Sequence, residues 1–302
     1  MYFVSINYTA SLDGLRGYAV LSVILFHCGI LYWGWLGVQL FFALSGFLIT
    51  LSLFSGKEKS FKLYLKNFYV RRALRIFPLY FLFLFIVFII SLVVGESLDQ
   101  RGWLHLLTYT FNIYRASESY SHSELYGHLW SLSVEEQFYL IWPFVIYFYS
   151  RGLKSLIVSL LSFYLVAKLL LMLLVSWGAL DRDFVVTQLY FQTFSQADAF
   201  LYGSLVALIH KNGGQAPYKF CMSVVVAVTL FCVIGEVLAQ QSLFSAMRLM
   251  SSPAMFDNNW GFGIGYTIVG FSSLALILYV LYSSSKLKAI LFPLCQDSCR
   301  LC

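Results

Sequence analysis

The chain has 302 residues, of which 60% are apolar and only 11% are charged. A water-soluble domain of this length needs far more polar surface to cover its core, so the composition excludes a soluble globular protein. The formal net charge of +6 is compatible with an anionic partner such as nucleic acid. The basic residues are distributed as in the loops of a membrane protein, however, and we expect no nucleic-acid partner.

Eight stretches of the sequence are apolar and long enough to cross a bilayer, which takes roughly 20 residues. They lie at 17–34, 35–54, 76–95, 128–149, 153–175, 189–209, 219–239 and 262–283. A further apolar run, 103–114, is too short to cross and is typical of a re-entrant or interfacial segment. The sequence therefore predicts an all-α integral membrane protein, a bundle of about 8–10 transmembrane helices.

The Lys and Arg residues predict the orientation of the bundle. When the spans alternate in direction, fifteen of the 20 basic residues fall on one side and four on the other, with Lys168 inside a span. Such an excess marks the cytoplasmic face, so the N-terminus is expected in the cytoplasm. No linker divides the chain, which predicts one membrane domain over 1–294. The last residues, 295–302, hold three cysteines without a nearby His, so we expect no metal site.

The first predicted span contains two polar residues, Arg16 and His27. They are 11 residues apart, which places them on one helix face and about 16 Å apart along its axis. Arg16 is then expected at the cytoplasmic edge and His27 near the middle of the membrane. A neutral His at that depth can accept a proton from a hydroxyl group. The alternative is a structural His satisfied by a neighbouring helix, with Arg16 as a topology charge.

Three arginines, Arg71, Arg72 and Arg75, lie within about one helical turn of each other at the predicted inner surface. Guanidinium groups bind phosphates through bidentate hydrogen bonds, so this cluster can bind an anionic donor molecule. The alternative is an ordinary basic segment that contacts anionic membrane lipid. Charge alone does not decide between the two.

Two adjacent carboxylates, Glu135 and Glu136, lie within a predicted span, where ionisable groups are costly. Glu135 follows His128 by seven residues, which is two turns, so the two side chains are expected on one face. Glu136 points about 100° away. One carboxylate can stabilise a catalytic His. The alternative is a structural pair with a cation, for which Lys168 is a candidate.

Small and polar residues in other spans indicate helix packing. Gly37 and Gly46 lie in the second span, with Ser45 beside them, and small residues let two helices approach closely. Gln196 and Asp198 form a polar pair in the sixth span, which we also interpret as packing.

Four sequence blocks together resemble the membrane acyltransferase-3 family. They are Leu12-Asp-Gly-Leu-Arg16 with His27, the Phe-Phe-x-Leu-Ser-Gly-Phe-Leu-Ile core within 37–49, Arg71-Arg-Ala-Leu-Arg-Ile-Phe-Pro-Leu-Tyr80, and Trp130-Ser-Leu-Ser-Val-Glu-Glu-Gln-Phe-Tyr139. The blocks occur in the order found in the family and cover the first half of the chain. A transporter or proton-coupled channel also uses charged residues in its spans, but it does not explain four ordered blocks.

The resemblance implies a multi-span O-acyltransferase of the bacterial inner membrane. The donor is expected to be acyl-CoA, usually acetyl-CoA, on the cytoplasmic side. The acceptor is expected to be a lipid-linked or surface glycan such as lipopolysaccharide O-antigen, exopolysaccharide or peptidoglycan, and membrane lipid surrounds the chain. The implied site residues are, for catalysis, His27 and Glu135; for the donor, Arg16, Arg71, Arg72 and Arg75; and for the substrate, Trp130, Ser131 and Tyr139.

The second half of the chain departs from the family in two places. Gln196 stands near the position where the family commonly has an Arg before its Asp-x-x-Leu-x-Gly segment. Family members usually continue past a Phe-x-Pro-Leu segment into a final span, whereas here Leu294 runs into 295–302. This segment resembles a truncated end, so an inactive family member is a further alternative.

Overall fold

The computed structural model describes residues 6–31, 33–94, 100–117, 120, 125–213, 218–227 and 259–283. Within these ranges every regular element is helical, which confirms the predicted all-α class. The helices are α1 (Ile6–His27), α2 (Leu36–Gly56), α3 (Phe61–Val94), α4 (Gln100–Leu107), α5 (Phe111–Arg115), α6 (Trp130–Tyr149), α7 (Leu153–Ser176), α8 (Arg182–Phe191), α9 (Thr193–Lys211), α10 (Tyr218–Ala227) and α11 (Asn259–Tyr282). A 3-10 helix, Gly127–Leu129, precedes α6.

The chain is a multi-pass membrane protein. Among the described residues, four helices, α2, α3, α7 and α11, are both long and apolar enough to cross a bilayer. Helices α1, α6 and α9 have 22, 20 and 19 residues, but their charged side chains make them less apolar. Helices α4 and α5, with 8 and 5 residues, are too short to cross, as predicted for 103–114. Most of the predicted span 219–239 and the tail 295–302 lie outside the described residues.

Three predicted span boundaries are wrong. Helix α1 ends at His27 rather than near residue 34, and Gly29 in the following turn adopts a left-handed backbone with a φ of 70°. Helix α3 begins at Phe61 rather than near residue 76, because Tyr64 and Phe68 supply a buried face one turn apart. The predicted span 189–209 is two helices, α8 and α9, which are separated at Gln192.

The chain forms two compact units, of which the first comprises residues 1–48, 154–186 and 198–302. Its core includes a close approach of α2 and α9. A Cβ atom added at Gly46 would overlap the backbone of Phe200, and one added at Gly203 would overlap the backbone of Ala43. The rings of Phe42 and Phe200 stack beside this crossing, with centroids 4.7 Å apart. The predicted packing role of the small residues in the second span is therefore confirmed.

The second unit comprises residues 49–153 and 187–197 and contains the Trp130–Tyr139 block on α6. Two hydrogen bonds hold the second half of α6 in place. The indole Nε1 of Trp142 donates to Oγ1 of Thr50 at 2.8 Å, and the hydroxyl of Tyr64 donates to the carbonyl of Pro143 at 3.0 Å. Helix α6 is thus fixed against both α2 and α3, so its polar residues have defined positions.

Candidate active site

The central feature of the second unit is a line of three side chains between α3 and α6. The hydroxyl of Tyr139 donates to Oε2 of Glu135, one turn away on α6, at 3.1 Å. The guanidinium of Arg72 lies over the ring of Tyr139, 4.5 Å from its centroid. This cation–π contact draws the two helices together. The structure thereby brings together three predicted site residues, one each from the donor, substrate and catalytic groups.

The predicted arginine cluster is divided between two faces of α3. Arg72 is half-buried against α6, whereas Arg71 and Arg75 are exposed. The division follows from helix geometry, because Arg71 and Arg75 are one turn apart and Arg72 is rotated by about 100° from Arg71. Donor binding by all three arginines stays a prediction, and the structure distinguishes Arg72 from the other two.

The predicted base, His27, is exposed and is the last residue of α1. Its depth near the middle of the membrane stays a prediction. Its ring makes an edge contact with Phe26, at a centroid distance of 5.6 Å. Arg16 lies on the same helix and forms an ion pair with Asp13, with 3.0 Å between Nη1 and Oδ1. This pair is partly exposed, so exchanging Asp13 for another anion costs little free energy.

The predicted substrate residues Trp130 and Ser131 occupy the first turn of α6. The ring of Trp130 is buried against Tyr190 and Phe191 of α8, at centroid distances of 4.8 and 5.2 Å. The hydroxyl of Ser131 donates to the carbonyl of His128 at 3.2 Å. His128 itself lies in the 3-10 helix before α6 rather than on α6. The predicted shared face of His128 and Glu135 stays a prediction.

A polar network around Gln137 was not predicted as part of the site. The amide nitrogen of Gln137 donates to the carbonyl of Tyr109 at 2.7 Å and to Oδ1 of Asn112 at 2.8 Å. Its amide oxygen accepts a short hydrogen bond from the hydroxyl of Thr193. Asn112 in turn donates to Thr193 at 3.0 Å and to the carbonyl of Phe191 at 3.2 Å. The only available signal in the sequence was the position of Gln137 directly after the two carboxylates.

The second carboxylate, Glu136, faces a different environment from Glu135. It lies near enough to Arg72, Tyr80 and Tyr109 for its charge to act on each of them. Its Oε1 atom is shielded from solvent and has no hydrogen-bond partner in the described part of the chain. Neighbouring positions on α6 thus place two carboxylates in two environments, as their rotation of about 100° requires.

Lys168, the candidate partner for Glu135 or Glu136 in the sequence analysis, pairs with a different carboxylate. Its Nζ atom lies 2.5 Å from Oδ2 of Asp198, and both side chains are buried. The ammonium also lies 5.1 Å from the ring centroid of Tyr266. Asp198, which was interpreted as a packing residue, is therefore one half of a buried ion pair between α7 and α9.

Comparison with known protein families matches residues 9–298 to the acyltransferase domain of the acyltransferase-3 family. The chain belongs to this family. It is similar to an O-acetyltransferase, OatA, from Staphylococcus aureus strain NCTC 8325, with 28% identity over 296 residues that cover 92% of this chain and 46% of the relative. It is also similar to the peptidoglycan O-acetyltransferase OatA of Listeria monocytogenes, with 29% identity over 253 residues that cover 76% of this chain and 39% of the relative.

The chain thus spans less than half the length of these curated relatives. No solved structure matches the chain. The resemblance stated from the four sequence blocks is confirmed as family membership by the match over most of the chain.

Proposed function

We propose that the chain is a membrane O-acetyltransferase that moves an acetyl group from acetyl-CoA to a hydroxyl group of a cell-surface glycan. The observation that carries this proposal is the line Arg72–Tyr139–Glu135, which links the arginine block of α3 to the carboxylate block of α6. One tyrosine thus contacts two side chains of opposite charge, Arg72 over the face of its ring and Glu135 at its hydroxyl. This arrangement suits a reaction in which negative charge develops and a proton is transferred.

In this mechanism His27 is the general base. It takes the proton from the acceptor hydroxyl, whose oxygen attacks the thioester carbonyl of acetyl-CoA. A carbon–oxygen bond forms, the carbon–sulfur bond breaks, and the proton passes to the departing CoA thiolate. The position of His27 at the C-terminal end of α1 supports this role, because the negative end of the helix dipole favours the positive charge that the base acquires. The resemblance of its block to the family assigns Glu135 as the catalytic carboxylate.

The donor is assigned to the arginines. The partly exposed pair of Arg16 with Asp13 leaves Arg16 able to exchange its carboxylate for a phosphate of CoA. Arg71 and Arg75 expose their guanidinium groups one turn apart on α3, which suits phosphate binding. All three fall on the side of the bilayer that the distribution of basic residues assigns to the cytoplasm. This orientation, with the N-terminus inside and the chain in the bacterial inner membrane, is part of the proposal.

The acceptor is assigned to a glycan outside the membrane, lipid-linked or already in the wall. Peptidoglycan is the preferred candidate over lipopolysaccharide or exopolysaccharide, because the Listeria relative carries that acceptor in its name. The ring of Trp130 is buried, and the hydroxyl of Ser131 is hydrogen-bonded to a backbone carbonyl. To contact the acceptor as predicted, both side chains would exchange their present contacts for contacts with the glycan.

The proposal is tested with radiolabelled acetyl-CoA in membranes that contain the full chain. We expect label in the glycan fraction with the wild-type chain and a loss of at least about 100-fold for His27→Ala, the range that general-base catalysis contributes. His210→Gln is the matched control. His210 lies at the end of α9, where its ring is hydrogen-bonded to the hydroxyl of Tyr282, and the mechanism gives it no role, so this variant should retain wild-type labelling. Equal labelling by the wild-type and His27→Ala chains, with both inserted stably, would contradict the proposal.

A further inference from the structure

Four side-chain polar atoms in the second unit are shielded from solvent and without a hydrogen-bond partner in the described chain: Nε1 of Trp103, Nε of Arg115, the hydroxyl of Tyr109 and Oε1 of Glu136. Tyr109 lies in the turn between α4 and α5, and Glu136 lies on α6. Nearly all buried polar groups in proteins have a partner, so each such atom calls for an explanation. The charge of Glu136 acts on the hydroxyls of both Tyr109 and Tyr80, whose rings stack with centroids 4.5 Å apart, so the Glu136 carboxylate lies near this stack.

Tyr109 is held in this place against a backbone preference. It is the one residue other than glycine with a positive φ in the described chain, at 54°. A bulky residue rarely adopts this conformation, and such outliers cluster at functional sites when the surrounding structure enforces them. Here the enforcement is visible, because Gln137 donates to the carbonyl of Tyr109 at 2.7 Å and the Tyr109 amide donates to the carbonyl of Leu106 at 3.2 Å.

The ring of Tyr109 is fixed as firmly as its backbone. It stacks on the ring of Tyr80 at a centroid distance of 4.5 Å and on that of Phe77 at 5.7 Å, with interplanar angles of 23° and 25°. The hydroxyl of Tyr80 is already used, because it donates to the carbonyl of Leu106 at 2.8 Å. The Tyr109 hydroxyl is therefore the group in this stack that remains available to a ligand. Burial, with smaller effects of Tyr80 and Glu136, raises the pKa of the Tyr109 hydroxyl, so it remains a donor.

The chemistry of the two groups selects among ligands. A carboxylate such as Glu136 only accepts hydrogen bonds, whereas the hydroxyl of Tyr109 can donate. A phosphate or carboxylate ligand would be repelled by Glu136 and Glu135 together, and a cation would meet the guanidinium of Arg72. A neutral hydroxyl suits both groups, because a hydroxyl can donate to Glu136 and accept from Tyr109.

We infer that Glu136 and Tyr109 together bind one hydroxyl group of the carbohydrate acceptor. This inference rests on the proposed function for the identity of the acceptor, but it assigns two residues to which neither the sequence blocks nor the relatives give a role. The two are positioning residues for the acceptor, distinct from the assigned base and from the arginines that bind the donor. Gln137 serves them indirectly by holding the strained backbone of Tyr109.

The test measures binding and turnover separately, using a β-1,4-linked N-acetylglucosamine pentasaccharide as the acceptor probe and the full chain in nanodiscs. Tyr109→Phe and Glu136→Gln are each expected to raise the Kd of the probe about 10-fold, which is the loss of about one hydrogen bond. The double variant should lose much less than the product of the two effects, because both groups bind the same hydroxyl. The KM for acetyl-CoA should not change.

Tyr149→Phe is the matched control, since Tyr149 lies exposed at the end of α6 and should leave the Kd unchanged. Each variant is first compared with the wild-type chain by gel filtration and thermal unfolding, and Tyr109→Phe keeps the stacked ring. Unchanged probe affinity in both folded single variants would overturn the inference and indicate that a water molecule joins the two groups. Because affinity is measured without turnover, a chain that binds the probe but transfers no acetyl group would contradict the proposed function alone.

Discussion

Replacing Lys168 by leucine is expected to destabilise the protein by about 3–5 kcal/mol, the usual cost of breaking a buried ion pair. The structure supports the full magnitude, because the side chains of Lys168 and Asp198 are only 3% and 5% exposed and their charged atoms are 2.5 Å apart. Without the ammonium, Asp198 retains one hydrogen bond, from the backbone amide of Ala199 at 2.9 Å. Asp198→Leu is expected to cost a similar amount, because it leaves the ammonium of Lys168 buried without its counter-ion.

The double variant Lys168→Leu with Asp198→Leu separates the ion pair from the packing around it. Replacing both partners by apolar residues of similar size removes the cost of desolvating two charges, so this variant should be at least as stable as the wild-type chain. The assay is thermal unfolding of the purified chain in detergent, followed by tryptophan fluorescence. Asp183→Asn is the control, since Asp183 is exposed on α8 and contributes no measurable stability.

Two results would refute this reasoning. If each single variant unfolds at the wild-type temperature, the two charges do not form a buried pair in the membrane protein. If the double variant is as unstable as the single variants, the loss comes from packing volume rather than from an uncompensated charge. We therefore expect the lowest unfolding temperatures for the two single variants, and unfolding temperatures near that of the wild-type chain for the double variant and the control.

Three further predictions concern the two units. Tyr139→Phe should lower kcat for acetyl transfer about 10-fold with an unchanged KM for acetyl-CoA, because it removes the hydrogen bond to Glu135 and keeps the ring. Gly46→Ala should cost about 3 kcal/mol or more in thermal unfolding, because its Cβ would overlap a neighbouring backbone, whereas Gly17→Ala has open space and should gain up to about 1 kcal/mol. Gln137→Leu should lower the unfolding temperature, since each buried group that it leaves unpaired costs about 1–3 kcal/mol, and an unchanged temperature would show that water replaces the amide.

The helices that could be predicted from the sequence are the ones that hydrophobicity alone determines. The bounds of α2, α7 and α11 agree with the predicted spans within a few residues, because each is a continuous apolar run. The sequence could not show the end of α1 at His27, since apolar residues continue past it and only the left-handed backbone of Gly29 marks the turn. The start of α3 was missed for the opposite reason, because its first turns are amphipathic and basic rather than apolar.

The candidate site was predicted in its residue types more fully than in its contacts. The blocks identified Arg72, Glu135 and Tyr139, and the structure joins them into one line. Arg72 could not be distinguished from Arg71 before the structure, because the two differ only in which face of α3 meets another helix. Tyr109 was missed because its significance lies in a backbone angle and a buried hydroxyl, neither of which has a sequence signal.

The departure from the family at Gln196 also has a structural explanation. Its amide donates to the carbonyls of Leu189 and Tyr190 at 3.0 and 2.7 Å, so it satisfies backbone groups near the end of α8. Asp198 therefore takes its positive charge from Lys168 on α7 rather than from a residue just before it in the chain. The positive charge that a buried aspartate needs can come from α7 as well as from α9, which explains how position 196 tolerates Gln.

The block on α6 places three consecutive polar residues, Glu135, Glu136 and Gln137, where three different tasks meet. Each residue is rotated by about 100° from the one before it, so three neighbours point in three directions across most of a turn. Glu135 meets Tyr139, Glu136 faces the environment of Tyr109, and Gln137 fixes the backbone of Tyr109. Inserting or deleting a single residue here would rotate all three groups away from their partners at once. The proposed acceptor site and the proposed catalytic carboxylate are therefore specified together by one turn of helix, and the spacing within the block matters as much as its composition.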